Sequence, residues 1–271
     1  MLGRGMTDTP ASMTYGAYLG LDQLLTSQHP ISDHHDEMLF VIIHQTKELW
    51  LKQIIRELRL ARQLIRDDAL VPVHKILSRV SRIQAVMTLS WDVLSTMTPT
   101  DYTSFRGVLG SSSGFQSAQF RLVEYLLGLK DAAHLRYQPG GSEWHEALSE
   151  ALAAPSLWDE ANAAIARAGF AIPQDVLERD WSQQYEPNEA VEAAWAEVYR
   201  DTGRWWPLYQ LAEKLVDIDD SMATWRHKHV VTVERIIGLK RGTGGTAGVA
   251  YLRSTVGKRA FPELWSLRTL I

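Results

Sequence analysis

The chain has 271 residues, enough for one large domain or two small ones, and its formal net charge of -4 gives no electrostatic reason to expect nucleic acid or an anionic membrane as partner. It contains no cysteine, which excludes disulfides, thiolate metal sites, c-type haem attachment and cysteine nucleophiles together. Any metal or haem must therefore hang on histidine or carboxylate.

Residues 1–13 are expected to form a mobile N-terminal arm. Met1 to Pro10 lacks the apolar stretch of a signal peptide, and the longest apolar run, Met38 to Ile43, is far too short to cross a bilayer. The chain reads as soluble and cytoplasmic. A helical stripe follows: Leu39, Ile42, Ile43, Leu49, Trp50, Ile54, Leu58, Ala61, Leu64 and Ile65. A second runs through Val73, Ile76, Leu77, Val80, Ile83 and Met87. A third covers Phe115, Ala118, Phe120, Leu122, Tyr125 and Leu126, with Gly128 as its stop. Residues 131–204 are punctuated by proline and read as shorter helices and loops inserted between the bundle helices. A last stripe begins near Leu208 and ends at Gly238. No segment alternates as a strand would. The expected fold class is all-α, a helical bundle over residues 14–271 taken as a single domain. The ten tryptophans read as aromatic core and say nothing about a substrate.

Nine histidines remain as candidates for chemistry: His29, His34, His35, His44, His74, His134, His145, His227 and His229. No glutamate has a histidine three residues later, which argues against a di-iron bundle, and His-Glu-x-x-His is absent. His44 lies in the most apolar stretch, one helical turn after Phe40. Periodicity alone favours a satisfied core histidine; the other reading is a polar group hanging into a cofactor pocket beside an aromatic wall. Tyr102 and Arg106, four apart, share one helix face. The run Leu109-Gly-Ser-Ser-Ser-Gly-Phe-Gln-Ser either caps a helix or offers N–H groups to an anion, such as a substrate or propionate carboxylate, which makes Ser113 and Gly114 candidate cofactor-binding residues. His227 and His229 diverge by about 200° on a helix, so only one can face a given pocket. Gly242-Thr-Gly-Gly-Thr-Ala satisfies a dinucleotide fingerprint but follows a helix, and that match is rejected. It reads instead as a loop able to approach a ligand closely.

Seven segments in order resemble the tryptophan 2,3-dioxygenase family: Thr14-Tyr-Gly-Ala-Tyr-Leu, His35-Asp-Glu-Met-Leu-Phe, His44-Gln-Thr-Lys-Glu-Leu-Trp, Ser112-Ser-Gly-Phe-Gln-Ser, Trp225-Arg-His-Lys-His, Arg241-Gly-Thr-Gly-Gly and Phe261-Pro-Glu-Leu-Trp-Ser-Leu-Arg-Thr. The likeness covers roughly residues 14–130 and 205–271. It implies a homotetramer with one haem b per subunit in a pocket between bundle helices, opening the indole ring of L-tryptophan with O2 to give N-formylkynurenine. It also implies His229 as axial iron ligand, although His227 lies within the same pattern. By the same resemblance, His44 matches the distal histidine and Phe40 lies beside the substrate ring. Tyr102 and Arg106 hold the substrate carboxylate, and Thr243 contacts its ammonium and carboxylate. Tyr15, Tyr18 and Leu19 match a segment that completes a neighbouring subunit's site. Ferrous haem with a neutral imidazole ligand binds O2, and arginine's planar fork suits a desolvated carboxylate. A helical haem sensor would need the axial histidine but no carboxylate clamp, and a purely structural helical oligomer would need neither.

Overall fold

The computed structural model describes residues 13–245 and 247–271. Apart from Met13, the expected arm lies outside the described residues. The chain opens with α1 (Tyr15–Leu19) and α2 (Leu21–Leu24), then the long α3 (His35–Arg66) and α4 (Leu70–Leu94). Next come α5 (Pro99–Arg106), α6 (Ala118–Leu127), α7 (Glu143–Ala153), α8 (Leu157–Arg167), α9 (Gln174–Leu177) and α10 (Glu189–Arg200). The second long helix, α11 (Trp206–Ile237), leads to α12 (Val249–Thr255) and α13 (Pro262–Ser266). No strand occurs among the described residues, as an all-α chain requires.

The frame consists of α4 packed against both α3 and α11. The turn between α3 and α4 is three residues long, which forces the two helices to return on each other. Their apolar stripes meet in one core that includes Ile54, Leu58, Ile65, Leu77, Val80, Leu211, Leu215 and Ile218. Residues 131–204 do not lie apart from it. Leu148, Trp158, Ile165 and Trp195 enter the same core, Trp158 and Trp195 stack at 5.7 Å, and Trp195 Nε1 donates to Asn162 at 3.0 Å. A buried indole needs such an acceptor for its N–H.

The closing Phe261-Pro-Glu-Leu-Trp-Ser segment is fixed by two buried carboxylates. Asp219 on α11 accepts from the backbone N–H of Ala260 and Phe261 and from Trp265 Nε1, at 3.0, 3.2 and 3.1 Å. Glu263 accepts from the Tyr185 hydroxyl and the Asn188 N–H. A third buried group joins α6 to α11: Glu124 receives Arg226 at 3.0 Å and Arg121 at 2.5 Å, while Arg226 also donates to the Lys258 carbonyl. Stripping one partner from such a buried pair typically costs about 3–5 kcal/mol, since the remaining charge stays out of water. Arg226 stands inside the Trp225-Arg-His-Lys-His motif, where it holds α11 in register against α6.

The serine- and glycine-rich run does not open α6 directly. Ser113 and Gln116 form a reciprocal capping box around a 3-10 turn, Gly114–Gln116; Ser117 is extended and caps α6 anew. Two caps in five residues fold this run back as a bracket beside the glycine loop.

Candidate active site

A second, smaller cluster of buried side chains holds Ile43, Trp91, Leu94, Met97, Phe105 and Ile236, with Phe40, Tyr102 and Trp225 packed on it. Beside it opens a cavity of about 620 Å³, within the range of small-molecule and cofactor sites. Three helices turn the same spacing towards it. On α3 the lining residues include Phe40, His44, Lys47 and Leu51; on α11 they include Trp225, His229, Thr232 and Ile236; on α4 they are Met87, Trp91 and Leu94. Steps of three and four keep each set on one helix face.

His44 makes its Nδ1 contact with the Phe40 carbonyl at 2.7 Å. A carbonyl only accepts, so Nδ1 carries the hydrogen and Nε2 is left with a bare lone pair. Burial pushes the His44 pKa down to about 4, against the opposing pull of the Phe40 carbonyl, and the charge of Lys47 lowers it further. The ring is therefore neutral, an acceptor at Nε2 with little appetite for a proton. The Phe40 and His44 rings lie 4.2 Å apart, and Phe40 also meets Tyr102 at 5.9 Å and Phe105 at 5.7 Å.

His229 stacks on Trp91 with ring centroids 4.4 Å apart and planes 11° from parallel, and it meets Trp225 at 5.2 Å. Burial lowers its pKa to about 3, with Lys47 and His44 adding to the effect. Among the described residues its ring nitrogens take no hydrogen bond. His227 is exposed on the far side of α11. The two-residue offset thus separates the pair as helix geometry requires.

The mouth of the cavity is built from α5 and two loops. Thr98 and Asp101 form a capping box with Pro99 at the first helical position, which fixes where α5 begins. Tyr102 and Arg106 then both reach the cavity wall. Burial raises the Tyr102 pKa, so its phenol keeps its hydrogen. Arg106 Nη2 donates to the Arg241 carbonyl, and Thr243 Oγ1 donates to the Ser112 carbonyl at 2.6 Å. These two bonds draw the glycine loop across the Ser113-Gly114 bracket. Glycine is needed there for space: a Cβ on Gly244 would stand 2.7 Å from Ser113 Cβ, and one on Gly248, at φ +62°, would stand 2.5 Å from the Lys240 carbonyl oxygen.

His44, Phe40, Tyr102, Arg106, Thr243, Ser113, Gly114 and His229 thus all line one cavity. Tyr15, Tyr18 and Leu19 do not. They are exposed on α1 and absent from the wall of their own chain's cavity. Sequence reasoning missed Trp91 and Lys47. Trp91 continues the stripe Ile83, Met87 by another four residues. Lys47 is a charge at a position where the spacing of Phe40, His44 and Leu51 calls for a buried side chain. Its pKa falls to about 7 through burial.

The residues present fit a haem on three counts. His229 offers a neutral, unengaged imidazole, the walls are aromatic and apolar, and the lining carries buried donors without protein acceptors. Fold and site define an all-helical protein with an aromatic cavity, His44 and His229 on two of its helices and His29 also on its lining, and a cationic, hydroxyl-rich mouth. A profile described as tryptophan 2,3-dioxygenase matches residues 3–155 and 152–271. The chain is 62% identical over 257 residues to a tryptophan 2,3-dioxygenase from Caulobacter vibrioides, covering 95% of this chain and 98% of that one. It is 54% identical over 263 residues to one from Bacillus thuringiensis subsp. konkukian, covering 97% and 94% of the two chains. It is also 54% identical over 262 residues to one from Ralstonia pickettii, again covering 97% and 94%. The chain belongs to the tryptophan 2,3-dioxygenase family.

Proposed function

We propose that the protein opens the indole ring of L-tryptophan with O2, placing one oxygen atom on each of C2 and C3 to give N-formylkynurenine, with haem b as cofactor. The observation that carries this reading is the pairing, within one cavity, of two neutral histidines of different character. His44 presents a bare Nε2 beside an aromatic wall, and His229 presents an unengaged ring on a tryptophan stack. A haem held through His229 supplies the binding and activation of O2. The chain's other residues select and orient the substrate. The indole lies against Phe40, and its N–H donates to His44 Nε2. Its carboxylate meets the Arg106 fork, and its ammonium donates to the Thr243 hydroxyl oxygen, which keeps its own hydrogen on the Ser112 carbonyl. Aromatic walls exclude water, so these polar contacts are poorly screened. The test is anaerobic reduction of the purified protein, then addition of 18O2 and L-tryptophan. N-formylkynurenine carrying both labelled atoms is expected, and a lack of turnover by haem-replete protein would overturn the reading.

His44 orients the substrate in this scheme and takes no obligatory proton. His44→Ala is expected to retain haem and measurable turnover with a raised KM. Because the ring stays neutral down to about pH 4, kcat/KM of the unaltered enzyme should show no His44 inflection between pH ~6 and ~8. Complete loss of turnover with haem intact would make His44 a required base.

The same reading includes a homotetramer in which α1 completes a neighbour's cavity. Its support is the exposure of Tyr15 at 76% and Tyr18 at 75%, too much apolar surface for a five-residue helix with no buried side chain. A chain beginning after Leu19 is expected to keep its haem and lose tryptophan affinity. A fully active monomer in the ultracentrifuge would remove the idea.

A further inference from the structure

The inner cavity holds more buried donors than substrate binding uses. Lys47 is 6% exposed, one turn past His44 on the same face of α3, with Nζ 3.0 Å from the centroid of the Trp91 ring and no acceptor among the described residues. Trp91 Nε1, Thr232 Oγ1 and Arg121 Nε, from three other helices lining the same cavity, are also buried without a partner among the described residues. The carboxylates on that wall are engaged elsewhere. Glu124 takes both Arg121 and Arg226, Glu48 accepts from Gln119 Nε2 at 2.8 Å, and Glu37 accepts from Ser32 and the Ile31 N–H. A buried lysine with only a ring face for company is costly as the ammonium, and the charged form is held where a ligand brings the missing acceptor. The substrate's own carboxylate is met at the mouth by Arg106, so the acceptor for Lys47 must come from something deeper.

We propose that Lys47 is an anion-binding residue of the inner cavity that pairs with one propionate carboxylate of the haem. This rests on the haem reading above. A propionate buried without a partner would be as costly as the lysine, so the two charges solve each other's problem. Arg106 is thereby left free for the substrate, and the cavity has two anion sites with separate clients. Lys47 binds the cofactor and stands apart from the reacting atoms.

The test uses the full-length chain freed of haem and titrated with two iron porphyrins, haemin and its dimethyl ester, in which both carboxylates are capped. Lys47→Met keeps length and removes charge. It is expected to weaken haemin binding about 30-fold or more and to leave the ester's affinity within a few-fold of the unaltered chain's. Lys47→Arg should restore most of the haemin affinity. Equal haemin affinity in Lys47→Met and the unaltered chain would overturn the proposal, and so would an equal loss for both porphyrins, which would mark Lys47 as packing only. Failure of the unaltered chain to bind haemin would overturn the haem reading and this proposal together. The readout is an affinity, so turnover of the loaded enzyme does not enter it.

Discussion

His229→Ala is expected to purify with little haem and no dioxygenase activity, while His227→Ala keeps both. The two residues are two apart on α11, and the structure puts one against Trp91 and Trp225 and the other in solvent. An iron ligand must be neutral and have a free lone pair. His229 meets both conditions: burial holds its pKa near 3, and among the described residues none hydrogen-bonds its ring nitrogens. Loss of an outer-shell partner typically costs about 10- to 100-fold in metal affinity, and loss of the ligand itself should exceed that. The alanine cavity also supplies its own control, since free imidazole added to His229→Ala should return part of the haem absorbance. Full haem content in His229→Ala, or its loss in His227→Ala, would reassign the ligand.

The second large effect concerns Arg106. Its guanidinium lines the cavity mouth and spends one of its N–H groups on the Arg241 carbonyl. Its remaining donors suit a carboxylate in two-point contact. Removing one partner of a buried, hydrogen-bonded charge pair typically costs about 2–5 kcal/mol. At roughly 1.4 kcal/mol per decade, Arg106→Ala should lower kcat/KM for L-tryptophan by about 30- to 3000-fold. Arg106→Lys should rescue only part of this, because a point charge does not replace the fork. A surface arginine would cost under about 1 kcal/mol. Tryptamine lacks the carboxylate, so its poor turnover should be nearly indifferent to the change. Equal slowing of both compounds would show that Arg106 supports the glycine loop or the haem, and the carboxylate contact would be wrong.

The three-four spacing of apolar residues determined α3, α4 and α11 by itself, because a helix that must bury one face writes that face into its sequence. Gly128 and Gly238 marked the ends of α6 and α11 for the same local reason. Spacing also sufficed to separate His227 from His229. The sequence did not determine which partner each stripe would meet. Trp91 and Trp225 read as core, and only packing showed that their faces and that of Phe40 stop short of one another and leave a cavity. Protonation lay beyond the sequence as well. The neutral state of His44 follows from burial and the nearby charge of Lys47, against the pull of the Phe40 carbonyl 2.7 Å away, which sets the tautomer. Lys47 is the clearest case. In the sequence it is one lysine within a helix, ordinarily a solvated charge. The tertiary structure buries it without an acceptor among the described residues, because its place on the α3 face is fixed by Phe40 and His44 and the helix cannot turn one residue outward while holding the others in.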